Sequence, residues 1–424
     1  MAQNTKRVQM NRNFKLLLGG QLVSQVGDKF HMIALALWVL DTTGSTAKMG
    51  AVLAASMIPS VLLGFFSGAV IDRYSRKLII VGTDIIRGIV LLLFAWMMFA
   101  GQVDFYFILA LQVVLSINAA FFDPTIPSVI PQIVDKSQLG RANAIHQGVY
   151  SFAMIGGAAL GGIAVSTLGY VWVFALDGLS FLLSAVFESF IKIPSASPEK
   201  DKRSFTSDIK AGYAYLFNSR PLLVVLFMVM IIHFFVGAIE VFMPVIANTI
   251  SDNGAETLGL FQAALGVGIL VMSILLSRFS VSGKEKESLF SSVAVMGCIQ
   301  ALTWFIDPEN DFALAGYTAC IFLWGAAMIR AAVSFKTLLQ THVDNTYSGR
   351  VFAIASTIGN ASIPAAMIMF GLLLDYIEYS NLLPTSGLIL ATLGLIAFTL
   401  FKEERKDSTP CDQAQKGESA PEPE

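Results

Sequence analysis

Long apolar stretches separated by short polar ones organise the chain, and twelve of them can be delimited: 16–40, 49–71, 78–100, 105–122, 142–165, 170–191, 221–248, 256–277, 288–306, 311–336, 350–373 and 385–401. About 20 largely apolar residues let a helix cross the hydrocarbon of a bilayer, so each stretch is predicted to be a transmembrane α-helix. Gly and Pro recur inside them, as membrane helices tolerate. The first stretch runs from Leu16 to Leu40 behind a polar, basic segment. It is too long for the core of a signal peptide and ends without a small-residue cleavage site. Few stretches are purely apolar, which is the pattern of helices that face a cavity as well as lipid.

The polar gaps divide by charge. Alternate gaps carry Lys6, Arg7, Arg12, Arg73, Arg76, Lys77, Lys202, Arg203, Lys284 and Lys286, whereas the opposite set holds only Lys48 among several acids, including Asp41, Asp104, Asp252, Asp307 and Asp375. Basic loops stay on the cytoplasmic side, so both termini are expected there, in agreement with an even number of spans. The longest internal gap separates six helices from six. The predicted fold is an all-α membrane protein with twelve transmembrane helices in two six-helix bundles, 1–191 and 221–402. A cytoplasmic linker, 192–220, joins them, and a disordered cytoplasmic tail, 403–424, follows. Within the linker, Ile209–Phe217 reads as an amphipathic piece lying along the membrane surface.

Composition sharpens the class. Apolar types make up 55% of the 424 residues and charged types 14%, against about 25% charged in soluble domains. Net charge is −2. A soluble enzyme, a disordered chain and a nucleic-acid binder are excluded on those grounds. The three Cys are scattered, the four His (His31, His146, His233, His342) are dispersed, and no GxxxxGK[ST] loop occurs. No metal, cofactor or nucleotide site is therefore expected, which argues against an enzyme or a primary pump. No repeated carbonyl loop suggests a channel filter.

Between the second and third helices the chain reads Gly64-Phe-Phe-Ser-Gly68-Ala-Val-Ile-Asp72-Arg73-Tyr-Ser-Arg76-Lys77. This resembles the loop signature G-x-x-x-D-R-x-x-R-K of the major facilitator superfamily, with Gly68, Asp72, Arg73, Arg76 and Lys77 all in place. The resemblance implies two bundles rocking about a midplane site and a monomer. It also implies a cytoplasmic gate in which Asp72 faces the start of helix 11 near Gly349–Arg350, a helix N-terminus that favours a carboxylate. Arg73 and Arg76 would pair with acids such as Asp123. The counterpart around Arg278–Lys284 keeps basic charge without the aspartate, so the gate is expected to be asymmetric. Helix 5, with Gly148, Gly156-Gly157-Ala158-Ala159-Leu160-Gly161-Gly162, resembles the antiporter motif of drug exporters with Ala158 in place of its proline. Gly148, Gly157, Gly161 and Gly162 also make a small-residue packing face, and loss of the proline removes the expected kink. A third stretch, Phe121-Phe122-Asp123-Pro124 to Pro131 and Leu139–Ala144, resembles the branch that holds macrolide-efflux proteins, the enterobactin exporter and a lysophospholipid transporter. Ser348–Phe352 echoes it, and Gly20-Gln21 and Gly27-Asp28 fit the same branch. Helix 4 lacks the arginine pattern of many proton-driven drug antiporters, which leaves the coupling residues open.

Ionisable groups inside spans are functional hypotheses because they cost free energy unless paired or hydrated. They are Asp28, Lys29, His31, Asp84, Arg87, Glu188, His233, Glu240 and Arg330. Asp28 and His31 share a face of helix 1. Asp28 lies roughly 18 Å deep and is the first candidate to bind a proton, unless Lys29 neutralises it. His233 and Glu240 share a face of helix 7, where Pro244 is expected to break the helix. His233 reads equally as a packed neutral residue. Arg330, expected near the cytoplasmic end of helix 10, meets an anionic group or snorkels. Asp84 and Arg87 read as a structural ion pair, and Glu188 as a partner for a basic loop residue. Gln21, Gln25, Gln112, Asn118, Phe234, Met243, Trp324 and Met328 are the candidate cavity lining, a surface suited to a large amphipathic ligand. The expected function is export of small hydrophobic or amphipathic compounds, macrolide-like drugs, across a bacterial cytoplasmic (inner) membrane. The expected energy source is a proton gradient and the expected surroundings are membrane lipid. A siderophore or a lysophospholipid is the alternative substrate.

Overall fold

The computed structural model describes residues 11–135, 138–193, 220–278, 284–343 and 345–407. Twelve helical spans follow one another in it. In the first half they are α1 (Arg12–Thr43), α2 (Thr46–Ala55 and Ile58–Arg73), α3 (Arg76–Phe99), α4 (Phe105–Ile133), α5 (Leu139–Phe152 and Ala158–Leu168) and α6 (Tyr170–Ser189). The second half holds α7 (Arg220–Ile250), α8 (Gly254–Arg278), α9 (Glu285–Leu302), α10 (Ala313–His342), α11 (Asn345–Leu374) and α12 (Tyr379–Asp407). Eleven helices are long and apolar enough to cross a membrane. α1 is as long as the others, but Gln21, Ser24, Gln25, Asp28, Lys29 and His31 dilute its apolar content, and it hides Gln21, Ser24 and His31 inside the protein.

Local chemistry sets the ends and the breaks. The Asn11 side chain caps α1 by accepting from the Phe14 N–H at 2.9 Å, and Gly44, at φ +62°, ends it in the left-handed conformation. Pro59 has no N–H to give and divides α2. The expected third break fails to occur. The sequence places 123–141 in a loop because of Pro124, Pro127 and Pro131, yet α4 runs through all three to Ile133. Hydroxyls add bonds along this stretch, Thr125 Oγ1 donating to the Phe121 carbonyl at 2.6 Å and Ser128 Oγ to that of Thr125 at 2.7 Å, and packing among the helices holds α4 where proline removes a donor. Pro244 likewise does not end α7, which continues to Ile250. Helix 5, expected straight without its proline, is instead distorted by a π-helical turn over Ala153–Gly157, a recognised cause of helix bending.

The two halves repeat one packing scheme. α3 packs on α6 as α9 does on α12, α1 on α5 as α7 on α11, and α2 on α4 as α8 on α10. The bundles meet through α2 with α11 and through α5 with α8, again the same pairing shifted by half the chain. The start of α1 and the end of α12 lie on one side of the bundles, the terminal side. Most of the linker, including Ile209–Phe217, and the tail beyond Asp407 lie outside the described residues; residues 403–407 belong to α12.

Candidate transport pathway and its buried charges

Bundle-to-bundle contact concentrates on the side away from the termini. Asp375, at the end of α11, caps the start of α2 in the other bundle. Its Oδ1 accepts from the Thr46 N–H at 2.8 Å, the Ala47 N–H at 3.2 Å and Thr46 Oγ1 at 2.7 Å, and its Oδ2 accepts from Ser45 Oγ at 3.0 Å. Thr46 Oγ1 also reaches the Gly371 carbonyl at 2.8 Å. Burial is the largest single influence on the Asp375 carboxyl and raises it, but these donors together outweigh it and hold the pKa below the usual range. Behind the cap the backbones touch. A Cβ on Gly50 would meet the Met367 carbonyl, and one on Gly162 the carbonyl of Ala255. Ser166 Oγ donates to Glu256 Oε1 at 2.8 Å along the same α5–α8 seam. Gly157 and Gly161 pack against Val26, Lys29, Phe30 and Ile33 of α1, as a small-residue face requires.

On the terminal side the glycines face open space. Nothing lies near a Cβ on Gly64, Gly68 or Gly148. Gly148, expected to pack, therefore does not, because its part of α5 borders an opening. A cavity of about 170 Å³ sits here, lined by Gln21 and Gln25 of α1, Phe122 and Asp123 of α4, and His146 and Tyr150 of α5. The gate expected from the loop signature is only partly visible. Arg73 is exposed, Lys77 is half-buried, and Arg76 Nε donates to Ser128 Oγ at 3.2 Å. The side chains of Asp72 and Arg350 lie outside the described residues.

The first bundle encloses a cluster of charge that the sequence only partly assembles. Asp84, Asp177 and Glu188 each have 0% of their surface exposed. His31 Nδ1 lies 3.3 Å from Asp177 Oδ2, and its Nε2 faces the Gln112 amide at 3.1–3.4 Å. The His31 ring also meets the edge of Phe174 with centroids 5.2 Å apart. His31 and Gln112 are thus inside the bundle and not on the cavity wall. Gln21 Nε2 donates to Glu188 Oε1 at 3.4 Å, so Glu188 is a core residue, not the partner of a loop base. Asp84 and Arg87 form no close ion pair either. The guanidinium lies over the faces of Phe122 (4.8 Å) and Phe181 (5.2 Å), a cation–π arrangement. Asp84 faces Ser184 and Glu188 across the α3–α6 seam, and neither of its oxygens has a hydrogen bond. Half-buried Asp28 lies within electrostatic reach of His31, Asp84, Asp123 and Asp177. Asp123, expected in a loop beside Arg73 and Arg76, sits in α4, and Arg87 is the cation that acts on it.

Among the described residues, the second bundle fully buries no charged side chain. His233 Nδ1 bonds to its own helix at the Val229 carbonyl, 2.9 Å away, which is the packed reading. Half-buried Glu240 is acted on by Lys29 of α1, across the bundle interface. Arg330 is half-buried near the middle of α10, since that helix extends to His342 and beyond the predicted end; it has no ion pair among the described residues. Met243 and Trp324 line a small apolar space between α7, α9, α10 and α12. Asn118 is buried and bonded to the Val114 carbonyl at 2.8 Å, while Met328 is half-buried. Phe234 lines a lateral groove of about 400 Å³ with Phe227 and Met230 of α7, Met369 of α11 and Ile389 of α12. Asp177 is the functional candidate that sequence reasoning missed. The rule that singles out Glu188, a charge inside a span, singles it out equally.

Two pseudo-symmetric bundles, joined on one face and parted on the other beside buried charge, have the build of a multi-span membrane carrier. The sequence model of the Major Facilitator Superfamily matches residues 17–367, and the chain belongs to that family of membrane transporters. It is similar to the MFS-type transporter YvqJ of Bacillus subtilis, 24% identical over 406 residues that cover 93% of this chain and 94% of that one. Macrolide efflux protein A of Streptococcus pyogenes is 22% identical over 398 residues, covering 93% and 96%. Among solved structures, a mutant of the nucleoside transporter NupG superposes with a TM-score of 0.76 over 93% of this chain and 99% of that one, at 14% identity, a likeness of fold.

Proposed function

We propose that this transporter exports hydrophobic or amphipathic compounds of the macrolide-like drug class from the cytoplasm by alternating access, driven by inward proton flow. It would sit in the bacterial inner membrane with both termini cytoplasmic, as the basic loops favour. The observation that carries the reading is the asymmetry of the bundles. The side bearing the basic loops opens onto a cavity walled by aromatic and amide side chains, while the other side is latched by Asp375. A carrier that loads from the cytoplasm needs that state. The similarity to a macrolide efflux protein across nearly the whole chain supports the substrate class. Antiport needs a group that takes a proton in exchange for substrate; the half-buried carboxyls Asp28 and Glu240, the latter within electrostatic reach of Lys29 in the other bundle, support that reading.

A lysophospholipid is the second reading, favoured by the lateral apolar groove between α7, α11 and α12, which has the position and polarity of a slot for an acyl chain. Inside-out proteoliposomes with an acid lumen separate the two. Radiolabelled erythromycin should accumulate in proportion to the imposed pH gradient and collapse with a protonophore. Accumulation of lysophosphatidylcholine in its place would select the second reading, and indifference of both to the gradient would rule out antiport.

A further inference from the structure

Three carboxyls of the first bundle have no exposed surface, and two of them face each other. Asp84 on α3 and Glu188 on α6 lie together at the seam of the two helices beside the Ser184 hydroxyl, and Asp84 Oδ1 and Oδ2 and Glu188 Oε2 make no well-formed hydrogen bond. Two ionised carboxylates are acceptors only. Such a contact becomes a hydrogen bond when one of the pair carries a proton, and like-charged carboxyls at one site cannot both ionise cheaply. The charges around the pair do not remove that need. Arg87 on α3 is the guanidinium at hand, and it is shared with Asp123 of α4 and Asp177 of α6. Asp28 and His31 of α1 complete the surroundings: Asp28 adds negative charge, and His31 is engaged by Asp177. The pair also has a route to water. Gln21 touches Glu188 and lines the cavity that opens on the terminal side.

We infer that Asp84 and Glu188 together form the binding site for the transported proton, reached from the cavity past the Gln21 amide. This rests on the antiport reading above and deepens it. Asp28 stands on α1, the helix that touches both the partner bundle and the pair's surroundings. It is the acid through which occupancy of the pair is felt at the cavity. Loading the pair removes one negative charge from the seam between α1, α3 and α6; unloading restores it and strengthens the pull of the cluster on Arg87.

Infrared spectra of the purified full-length transporter test the site directly, because a protonated carboxyl has a C=O stretch that a carboxylate lacks. The wild type should show this band at neutral pH, and Glu188→Gln and the Asp84→Asn, Glu188→Gln double variant should lose it. Both variants mimic the protonated pair, the state that gives substrate up in an antiporter, so erythromycin should produce a smaller ligand-induced thermal shift in them than in the wild type. In inside-out proteoliposomes their gradient-driven erythromycin accumulation should fall to the level of protein-free vesicles. A wild type without the band, or a band untouched by both variants, overturns the site; the first result needs no variant to fold. Loss of the band with gradient-driven accumulation intact overturns its coupling role. A wild type that itself ignores the gradient defeats the antiport reading instead, leaving the band as the mark of a structural proton.

Discussion

Asp375→Ala removes the cap that one bundle places on the other. Four donors converge on that carboxylate, two of them backbone N–H groups in the first turn of α2. Losing a cap of this kind costs about 0.5–2 kcal/mol, and the exposed position of Asp375 lets water replace part of it. A loss of about 1–2 kcal/mol falls on the latched state alone, since the bundles must part to open this side, and it changes the population ratio roughly five- to thirtyfold. Spin labels at Thr167→Cys and Asn253→Cys, exposed residues on the two sides of the α5–α8 seam, read that ratio as a distance distribution in a background without native cysteines. Asp375→Ala should transfer population from the short to the long distance. The same pair reads the pH dependence. The carboxyl is held below its ordinary pKa, so its contribution is complete above the free carboxyl's pKa and is lost as pH falls through the depressed value. Acid should therefore lengthen the wild-type distance and leave the alanine variant less responsive. An unchanged distribution in Asp375→Ala at neutral pH would refute the latch.

Gly50→Leu should act in the same direction by a different force: its Cβ would press on the Met367 carbonyl and lie 3.1 Å from the Gly371 Cα, and overpacking of about 1–3 kcal/mol should favour the long distance in the same labels. Arg87→Met should lower the thermal midpoint, since it removes the guanidinium lying over the Phe122 and Phe181 rings, a desolvated cation–π arrangement worth about 2 kcal/mol. Ser386→Val removes the nearer of two acceptors of the buried Gln300 amide, at 2.6 Å, and leaves the Leu383 carbonyl at 3.3 Å, a loss of about 0.5–1.5 kcal/mol that a denaturation midpoint should register.

The twelve spans were legible because hydrophobic length is a local property, and the bundle pairing follows from symmetry that the even count already suggests. Where the sequence misled, tertiary context was at work. Pro124, Pro127 and Pro131 signal a loop by their missing donors, but the packed bundle keeps α4 helical. Ala158 signals a straight helix, while the distortion comes from a π-turn that no single residue announces. The depth of Asp28 and His31 could be read from their places in their span, whereas that of Glu188, read as a partner for a loop base, could not. That His31 meets Asp177, Gln21 meets Glu188 and Arg87 lies over two phenylalanines could not, because spacing along one helix says nothing about which helix packs on its face. The latch was hidden for a related reason: Ser45, Thr46 and Asp375 look like ordinary loop residues until the bundles meet.

Alternating access predicts that the two faces move in opposition. A second label pair at Ala144→Cys and Ser277→Cys, exposed on the terminal-side ends of α5 and α8, should report a long distance while Thr167→Cys with Asn253→Cys reports a short one. Adding erythromycin together with a pH gradient should shorten the first and lengthen the second. Two distances that stay fixed, or that lengthen together, would contradict a carrier that opens to each side in turn.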